Sequence, residues 1–125
     1  MADEITVTAQ IAVVNGTHLY TGVSRGLQYD QATAGMATIP IDVGTAEEDV
    51  DFGDITPGWC KIINLDDSIP VQFGKKDGSG NMQATIQAPP TSEQIVFLVS
   101  GTTYRVAAPT AGTLTARLVI EAQDL

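Results

Sequence analysis

The stretch from Ile5 to Tyr20, ITVTAQIAVVNGTHLY, has the alternation of apolar and polar residues that predicts β-structure. Between Ile5 and Val13 apolar residues alternate with Thr, Gln and Ala, which places the apolar set on one face of a strand and the polar set on the other. Asn15 and Gly16 tolerate the positive φ that both central residues of a type I′ turn require. The sequence therefore predicts a β-hairpin at this point.

Seven shorter apolar runs follow, separated by Gly, Pro and Asp turn chemistry: MATIPIDV, WCKIINLD, PVQFG, NMQATIQA, QIVFLVS, TTYRVAA and TLTARLVIEA. With the hairpin they make about nine strands, a pattern typical of a β-sandwich, a jelly roll or a small barrel. The helical period is missing, and we expect a loop even at TAEEDVDF. We predict an all-β fold, an antiparallel β-sandwich with jelly-roll character. It would form a single domain over 1–125, with an N-terminal hairpin or arm at 1–30 and the sandwich body at 36–125.

Two prolines bear on the order of the strands. Pro40 lies inside ATIPIDV and Pro70 begins PVQFG. Because proline cannot donate a hydrogen bond to a neighbouring strand, each belongs at a sheet edge, a bulge or a strand start. We expect neither strand to be central in its sheet.

Composition and charge narrow the classes of partner. Charged residues make up 17 % of the chain, and 15 acids against 6 bases give a formal net charge of −9. This charge repels nucleic acid and anionic membrane surfaces, so we expect no partner of either kind. A single cysteine cannot form an internal disulfide, and the start of the chain lacks the basic and apolar regions of a signal peptide. We expect a soluble protein made in a cytoplasm.

Cys60 and His18, the only cysteine and the only histidine, are the first candidates for chemistry because such residues can form a nucleophilic pair. The alternation around Cys60 instead indicates a small residue facing the core. The position of His18 just after the turn indicates a solvent-facing cross-strand partner. Asp66, Asp67 and Glu93 offer carboxylates for glycoside hydrolysis, but adjacent acids at a strand end more often form turns. We predict no enzyme activity and no cofactor.

The acidic run EEDVDFGD is the one place where a metal is worth considering. Asp49, Asp51 and Asp54 are the candidate calcium ligands, and Gly53 permits a sharp turn between them. The further ligands and the late glutamate of an EF-hand are missing, and acids at alternate positions also describe a solvated strand face. We predict no metal site, with these three residues as the ones to test for calcium.

The segment Gly53 to Gly74, GDITPGWCKIINLDDSIPVQFG, resembles a pattern in small structural proteins encoded among the head and tail genes of tailed bacteriophages. The shared features are a Gly-Asp turn, Thr-Pro-Gly followed by an aromatic residue, an apolar strand ending in Asn-Leu-Asp, and a second apolar strand ending in Gly. The later run TYRVAAPTAGTLTARLVIEA resembles the end of the same pattern. The resemblance covers the C-terminal two thirds of the chain and leaves out the N-terminal hairpin.

The resemblance implies a virion protein, made in the host cytoplasm. The leading expectation is a capsid decoration or cement protein that forms homo-oligomers and binds the phage major capsid protein. A component of the tail, collar or neck is the alternative within the virion, and a carbohydrate- or receptor-binding module is the alternative from another class. Trp59, opposite Cys60 in the pleat, is either a lid over the end of the sandwich or an anchor at a partner interface. It is the candidate interface residue because tryptophan is enriched at interface hot spots.

Overall fold

The computed structural model describes residues 4–24, 26–32, 34–99 and 101–124. Within these residues the ordered elements are β-strands, with no helix, and therefore no helix long and apolar enough to cross a membrane. The predicted all-β class is confirmed. The chain divides into two compact units, Met1–Ala34 and Gly35–Leu125.

The N-terminal unit is made of two antiparallel strand pairs. Its strands are β1 (Ile5–Val7), β2 (Gln10–Asn15), β3 (His18–Val23) and β4 (Leu27–Tyr29). Strand β2 pairs with β3 and β1 pairs with β4, so the predicted hairpin is confirmed.

The turn of this hairpin lies one residue later than the sequence predicts. Asn15 pairs with His18 as the last residue pair of the ladder, so Gly16 and Thr17 are the central turn residues. Of these two only Gly16 has a positive φ, 58°. Glycine with positive φ at the first central position is the requirement of a type II′ turn, and the type I′ prediction is wrong in this respect.

The second unit contains the other eight strands. They are β5 (Met36–Val43), β6 (Glu48–Asp49), β7 (Pro57–Asn64), β8 (Val71–Lys76), β9 (Met82–Ala88), β10 (Ser92–Phe97), β11 (Tyr104–Ala107) and β12 (Ala116–Asp124). One four-stranded sheet has the order β10-β7-β12-β5, and the other has the order β6-β11-β8-β9. Each of the seven apolar runs that follow the hairpin contributes one of these strands.

The pairing of these eight strands is nested. Strand β5 pairs with β12, β6 with β11, and β8 with β9, while β7 pairs with both β10 and β12. The first strand of this unit, β5, thus pairs with its last strand, β12. Each following pair joins strands that are closer together in the sequence, and the innermost pair is the β8–β9 hairpin. All of these pairs are antiparallel.

The core lies between the inner faces of the two sheets. Ile62, Leu118 and Ile120 are fully buried on one sheet, and Phe73 and Val106 are buried on the other. Strand β7 alternates between buried and half-buried positions along its whole length, as a strand with one face on the core should. The antiparallel β-sandwich is confirmed.

The predictions for the strands of Pro40 and Pro70 have different outcomes. Pro40 lies in β5, which is the edge strand of its sheet, as predicted. Pro70 immediately precedes β8, so it stands at a strand start, but β8 is flanked by β11 and β9 and the edge prediction is wrong for it. The missing N–H of Pro70 lies outside the ladder and does not interfere with pairing on either side. The run TAEEDVDF is non-helical, and two of its residues form the short β6.

Candidate interaction surface

Cys60 faces the core and is poorly suited to nucleophilic chemistry. Its side chain is buried in the cluster that also holds Ile62 and Ala122. Burial raises the pKa of the Cys60 thiol to about 12, because the thiolate would lose its hydration in this apolar setting. The thiol therefore stays protonated at neutral pH, and the prediction of a small core residue is confirmed. His18 lies in the N-terminal unit, is exposed and pairs across the hairpin with Asn15, also as predicted.

Two of the three candidate calcium ligands, Asp49 and Asp51, have other bonding partners around β6. The Asp49 carboxylate accepts a hydrogen bond from Arg105 Nε at 2.7 Å and lies 3.8 Å from Lys76 Nζ. The hydrogen bond from Arg105 lowers the pKa of Asp49. Asp51 accepts the Gly53 N–H at 2.8 Å, and Asp54 is exposed. Among the residues that the structure describes, no group of three or more acids, histidines or cysteines is arranged to hold a metal ion.

Of the carboxylates considered for glycoside hydrolysis, Asp66 and Glu93 have local partners, and Asp67 is exposed. Asp66 Oδ1 accepts the backbone N–H groups of Ser68 and Ile69 at 2.8 and 2.7 Å, and these bonds lower the pKa of Asp66. Glu93 is paired with Lys61 Nζ at 2.8 Å. Asp66 therefore forms the turn between β7 and β8, as the sequence indicates, and Glu93 forms a surface ion pair.

Asn64 fixes the end of β7 from inside the sandwich. It is the last residue of the strand and is buried, and its Nδ2 donates to the carbonyl oxygens of Ile69 and Ala88 at 2.9 and 3.0 Å. Its Oδ1 accepts the N–H of Asp66 at 3.0 Å. One amide side chain thus satisfies three backbone groups and ties the β7–β8 turn to the end of β9.

The outer face of the β10-β7-β12-β5 sheet carries an aromatic pair. Trp59 on β7 is opposite Phe97 on β10, and their rings meet edge to face with centroids 5.0 Å apart at an interplanar angle of 75°. Trp59 is half-buried, whereas Phe97 keeps 51 % of its surface exposed. Because Cys60 next to it points into the core, Trp59 lies on the outer face, where the alternation predicts it.

Aliphatic side chains extend this apolar surface across the sheet. The strand register places Ile95 beside Phe97 on β10, and Ile63 and Val119 on the two central strands. Ile95 is 46 % exposed, and the other two are half-buried. The set Trp59, Ile63, Ile95, Phe97 and Val119 is called here the Trp59 face.

The charges around the Trp59 face nearly cancel. Lys61 pairs with Glu93 at 2.8 Å and lies opposite Glu121, while Arg117 lies opposite Asp42, with 3.9 Å between Nε and Oδ1. Two cationic and three anionic side chains leave one net negative charge on this face, in a chain whose net charge is −9. A flat, partly apolar and nearly neutral surface can approach another protein with little electrostatic repulsion.

Sequence reasoning found Trp59 but missed its neighbours. Phe97 and Ile95 belong to the run QIVFLVS, whose continuous apolar character conceals which positions point outward. Glu93 could have shown which positions point outward, because a charged side chain in a strand faces solvent. Ile95 and Phe97 follow it at alternate positions and therefore lie on the same face.

Comparison of this chain with protein-family models, with curated proteins and with solved structures finds no match in any of the three.

Proposed function

We propose that this protein is a structural component of a tailed-bacteriophage virion, and specifically a decoration or cement protein of the capsid. It binds the major capsid protein and stabilises the assembled head. The proposed role is one of binding, and it agrees with the places of three residues considered for chemistry: Cys60 lies in the core, Asp66 forms a turn and Glu93 forms an ion pair. Its place of action would be the virion.

The winding of the sandwich supports a jelly roll as the finer description of the fold. Eight strands in two four-stranded sheets, nested so that the first pairs with the last, are what results when one long hairpin is wound into a sandwich. Jelly rolls of this kind occur in viral capsid and lectin domains. The fold alone does not specify a function, so the argument for the virion depends on the surface and on the family resemblance.

The observation that carries the proposal is the position of Trp59. The tryptophan of the segment that resembles phage structural proteins lies on an outer sheet face, next to a Phe97 that is half exposed. A side chain of this kind, surrounded by aliphatic residues and a balanced set of charges, has the composition of an interface centre. We propose that the Trp59 face contacts the capsid.

A binding assay with capsids tests this assignment. Phe97→Ala and Trp59→Ala should each weaken binding to capsids that lack the protein by about tenfold or more, because aromatic residues at an interface centre dominate affinity. Leu114→Ala is the matched control, since Leu114 is 64 % exposed in the same unit but lies in the turn before β12. Circular dichroism must show that each variant is folded. Equal binding by all three variants would refute the Trp59 face as the contact.

Particle composition and stability separate the head from the tail. Hundreds of copies per virion, measured by gel densitometry, are expected for a shell protein, and tens or fewer for a collar, neck or tail component. A protein that binds only the assembled shell stabilises that state by mass action. Capsids without it should therefore lose their DNA at lower temperature, and unchanged heat stability would contradict the cement role.

A carbohydrate- or receptor-binding module remains the second candidate because Trp59 and Phe97 place two aromatic rings together on the surface. Aromatic rings with polar neighbours are a common way to hold a sugar. A glycan array distinguishes the two functions. Strong binding that Trp59→Ala abolishes would favour the module over the capsid protein.

A further inference from the structure

We propose that the hairpin formed by β2 and β3, Gln10–Val23, is a self-association element whose occupant is the same hairpin of a second copy of this chain. This association depends only on the N-terminal unit and on the net charge, and not on whether the protein coats a phage head.

The hairpin exposes apolar side chains on both of its faces. On one face Val14 lies opposite Leu19, and these side chains are 82 % and 69 % exposed. On the other face Ile11 is exposed beside Gly22, while the Tyr20 ring lies over that glycine. Each face also carries polar residues, Gln10 and Thr21 on one and Asn15 and His18 on the other. A ribbon with only one face toward solvent would keep its large apolar side chains on the other face, whereas this ribbon exposes them on both.

A two-stranded ribbon of this kind needs a cover. Two strands alone are at best marginally stable in water, and a contiguous exposed apolar patch marks an interaction site. Five apolar side chains of the hairpin are each more than half exposed: Val14, Leu19 and Val23 on one face, and Ile11 and Tyr20 on the other. A second copy can cover one of these faces, and backbone contacts along a strand edge add to the contact.

Charge favours a second copy as the occupant. From Gln10 to Val23 the sequence contains no Asp, Glu, Lys or Arg, although the whole chain has a net charge of −9. Two copies of so acidic a protein repel each other wherever their acids meet. The hairpin is a continuous segment that another copy can approach without bringing like charges together.

The backbone provides the complementary geometry. Asn15 and His18 close the two-residue turn as a hydrogen-bonded pair, so the next pair, Val14 and Leu19, directs its N–H and C=O groups away from the hairpin. Within the described residues β2 and β3 pair only with each other, so each strand has an open edge. An open edge pairs antiparallel with the same edge of a second copy about a twofold axis.

Sedimentation of the full-length protein over a range of concentrations tests the proposal. We expect a reversible oligomer whose dissociation constant rises about 30-fold or more in Leu19→Lys, which brings like charges together at the contact. Leu114→Lys is the matched control and should leave the oligomer unchanged, because Leu114 is similarly exposed at 64 % but lies in the other unit. A monomeric wild type, or equal effects of the two lysine variants, would overturn the proposal.

A second variant distinguishes loss of the contact between copies from unfolding of the hairpin. Val14→Thr with Leu19→Thr removes the apolar surface but keeps residues that favour strands. This double variant should also dissociate, with the β2–β3 cross-strand contacts preserved by NMR. Hydrogen exchange gives a direct readout, since the amide of Val14 or that of Leu19, depending on which edge pairs, should be protected in the oligomer and exposed after dilution. Rapid exchange of both amides within a stable oligomer would refute edge pairing.

Discussion

Gly74 lies where β8 comes very close to the backbone of β9, and its replacement by alanine tests the packing of the β6-β11-β8-β9 sheet. It is buried in β8, opposite Arg105 of β11 on one side and Ala84 of β9 on the other. The register of β8 with β9 shifts between Phe73 and Gly74, which marks a β-bulge. A Cβ at position 74 would collide with the carbonyl oxygen of Gln83 and lie 2.6 Å from its carbonyl carbon.

The obstacle in this case is backbone, so no side-chain rotation can relieve it. Normal contact between carbon atoms begins near 3.5 Å, and β9 would have to move away by about 1 Å. Overpacking of this kind costs about 1–3 kcal/mol, and a ladder hydrogen bond lost with it costs about 1 kcal/mol more. Alanine restricts the unfolded chain more than glycine does, and this offsets about 0.4–1 kcal/mol of the lost stability. We expect Gly74→Ala to lower the free energy of unfolding by about 2–3 kcal/mol.

Urea unfolding followed by tryptophan fluorescence measures this change, because the only tryptophan, Trp59, lies in the same unit. A loss of 2–3 kcal/mol corresponds to roughly 10–20 °C in Tm for a unit of this size. Gly78→Ala is the control, since a Cβ there meets nothing within 4 Å and Gly78 has no positive φ. The control should change stability by less than about 0.5 kcal/mol. Equal stability of the two variants would show that the close approach of β9 to Gly74 does not exist.

Three further predictions follow from the buried and turn-forming side chains. Asn64→Leu should lower the free energy of unfolding by about 3 kcal/mol because it leaves two buried carbonyl groups and the partly buried N–H of Asp66 without their partner. Asn64→Asp should also destabilise the protein because a carboxylate cannot donate to the two carbonyl groups. Urea unfolding at neutral pH checks both variants, and a wild-type midpoint would contradict the prediction. Cys60 should not react with a thiol reagent at pH 8 until urea unfolds the protein, because its pKa is raised to about 12, and stoichiometric labelling of the native protein would show that the thiol is accessible. Backbone hydrogen bonds lower the pKa values of Asp66 and Asp77, so the stability that these carboxylates contribute is present above the unfolded pKa of about 3.9 and is lost as the pH falls through the folded pKa. Asp66→Asn should therefore lose less stability than the wild type between pH 5 and pH 2. Identical acid-unfolding profiles of the two proteins would contradict this role of Asp66.

Local pattern was enough to predict most strands of this protein. The run MATIPIDV coincides with β5, and NMQATIQA differs from β9 by one residue at its start. Short-range alternation and turn residues determine such segments, and both are visible in the sequence. The two-residue β6 was missed because it is too short to show a period, and it is held by its pairing with β11 and by the Arg105–Asp49 ion pair.

The pairing of distant strands was not predictable in the same way. Strands β5 and β12 pair although most of the second unit's sequence lies between them. Their register is set by which residues face the core and not by any local signal. The Trp59 face depends on this pairing, since Phe97 and Val119 reach Trp59 and Ile63 only through β10 and β12. The role of Asn64 was also not predictable from local sequence. Its polar side chain suggests a turn, but its hydrogen-bond partners come from the turn after β7 and from the end of β9.

Charge placement connects the two surfaces proposed here. A strongly acidic chain can associate only where its acids are absent or compensated, since exposed like charges at a contact oppose it. The hairpin meets this condition by having no charged residue, and the Trp59 face meets it through the pairs Lys61–Glu93 and Arg117–Asp42. Much of the remaining acid lies between Glu47 and Asp54, in and around the short β6, and at Asp66 and Asp67 in the turn after β7. If the two proposed surfaces are contacts, the net charge opposes approach of two copies through the acidic segments and favours approach through the hairpin and the Trp59 face.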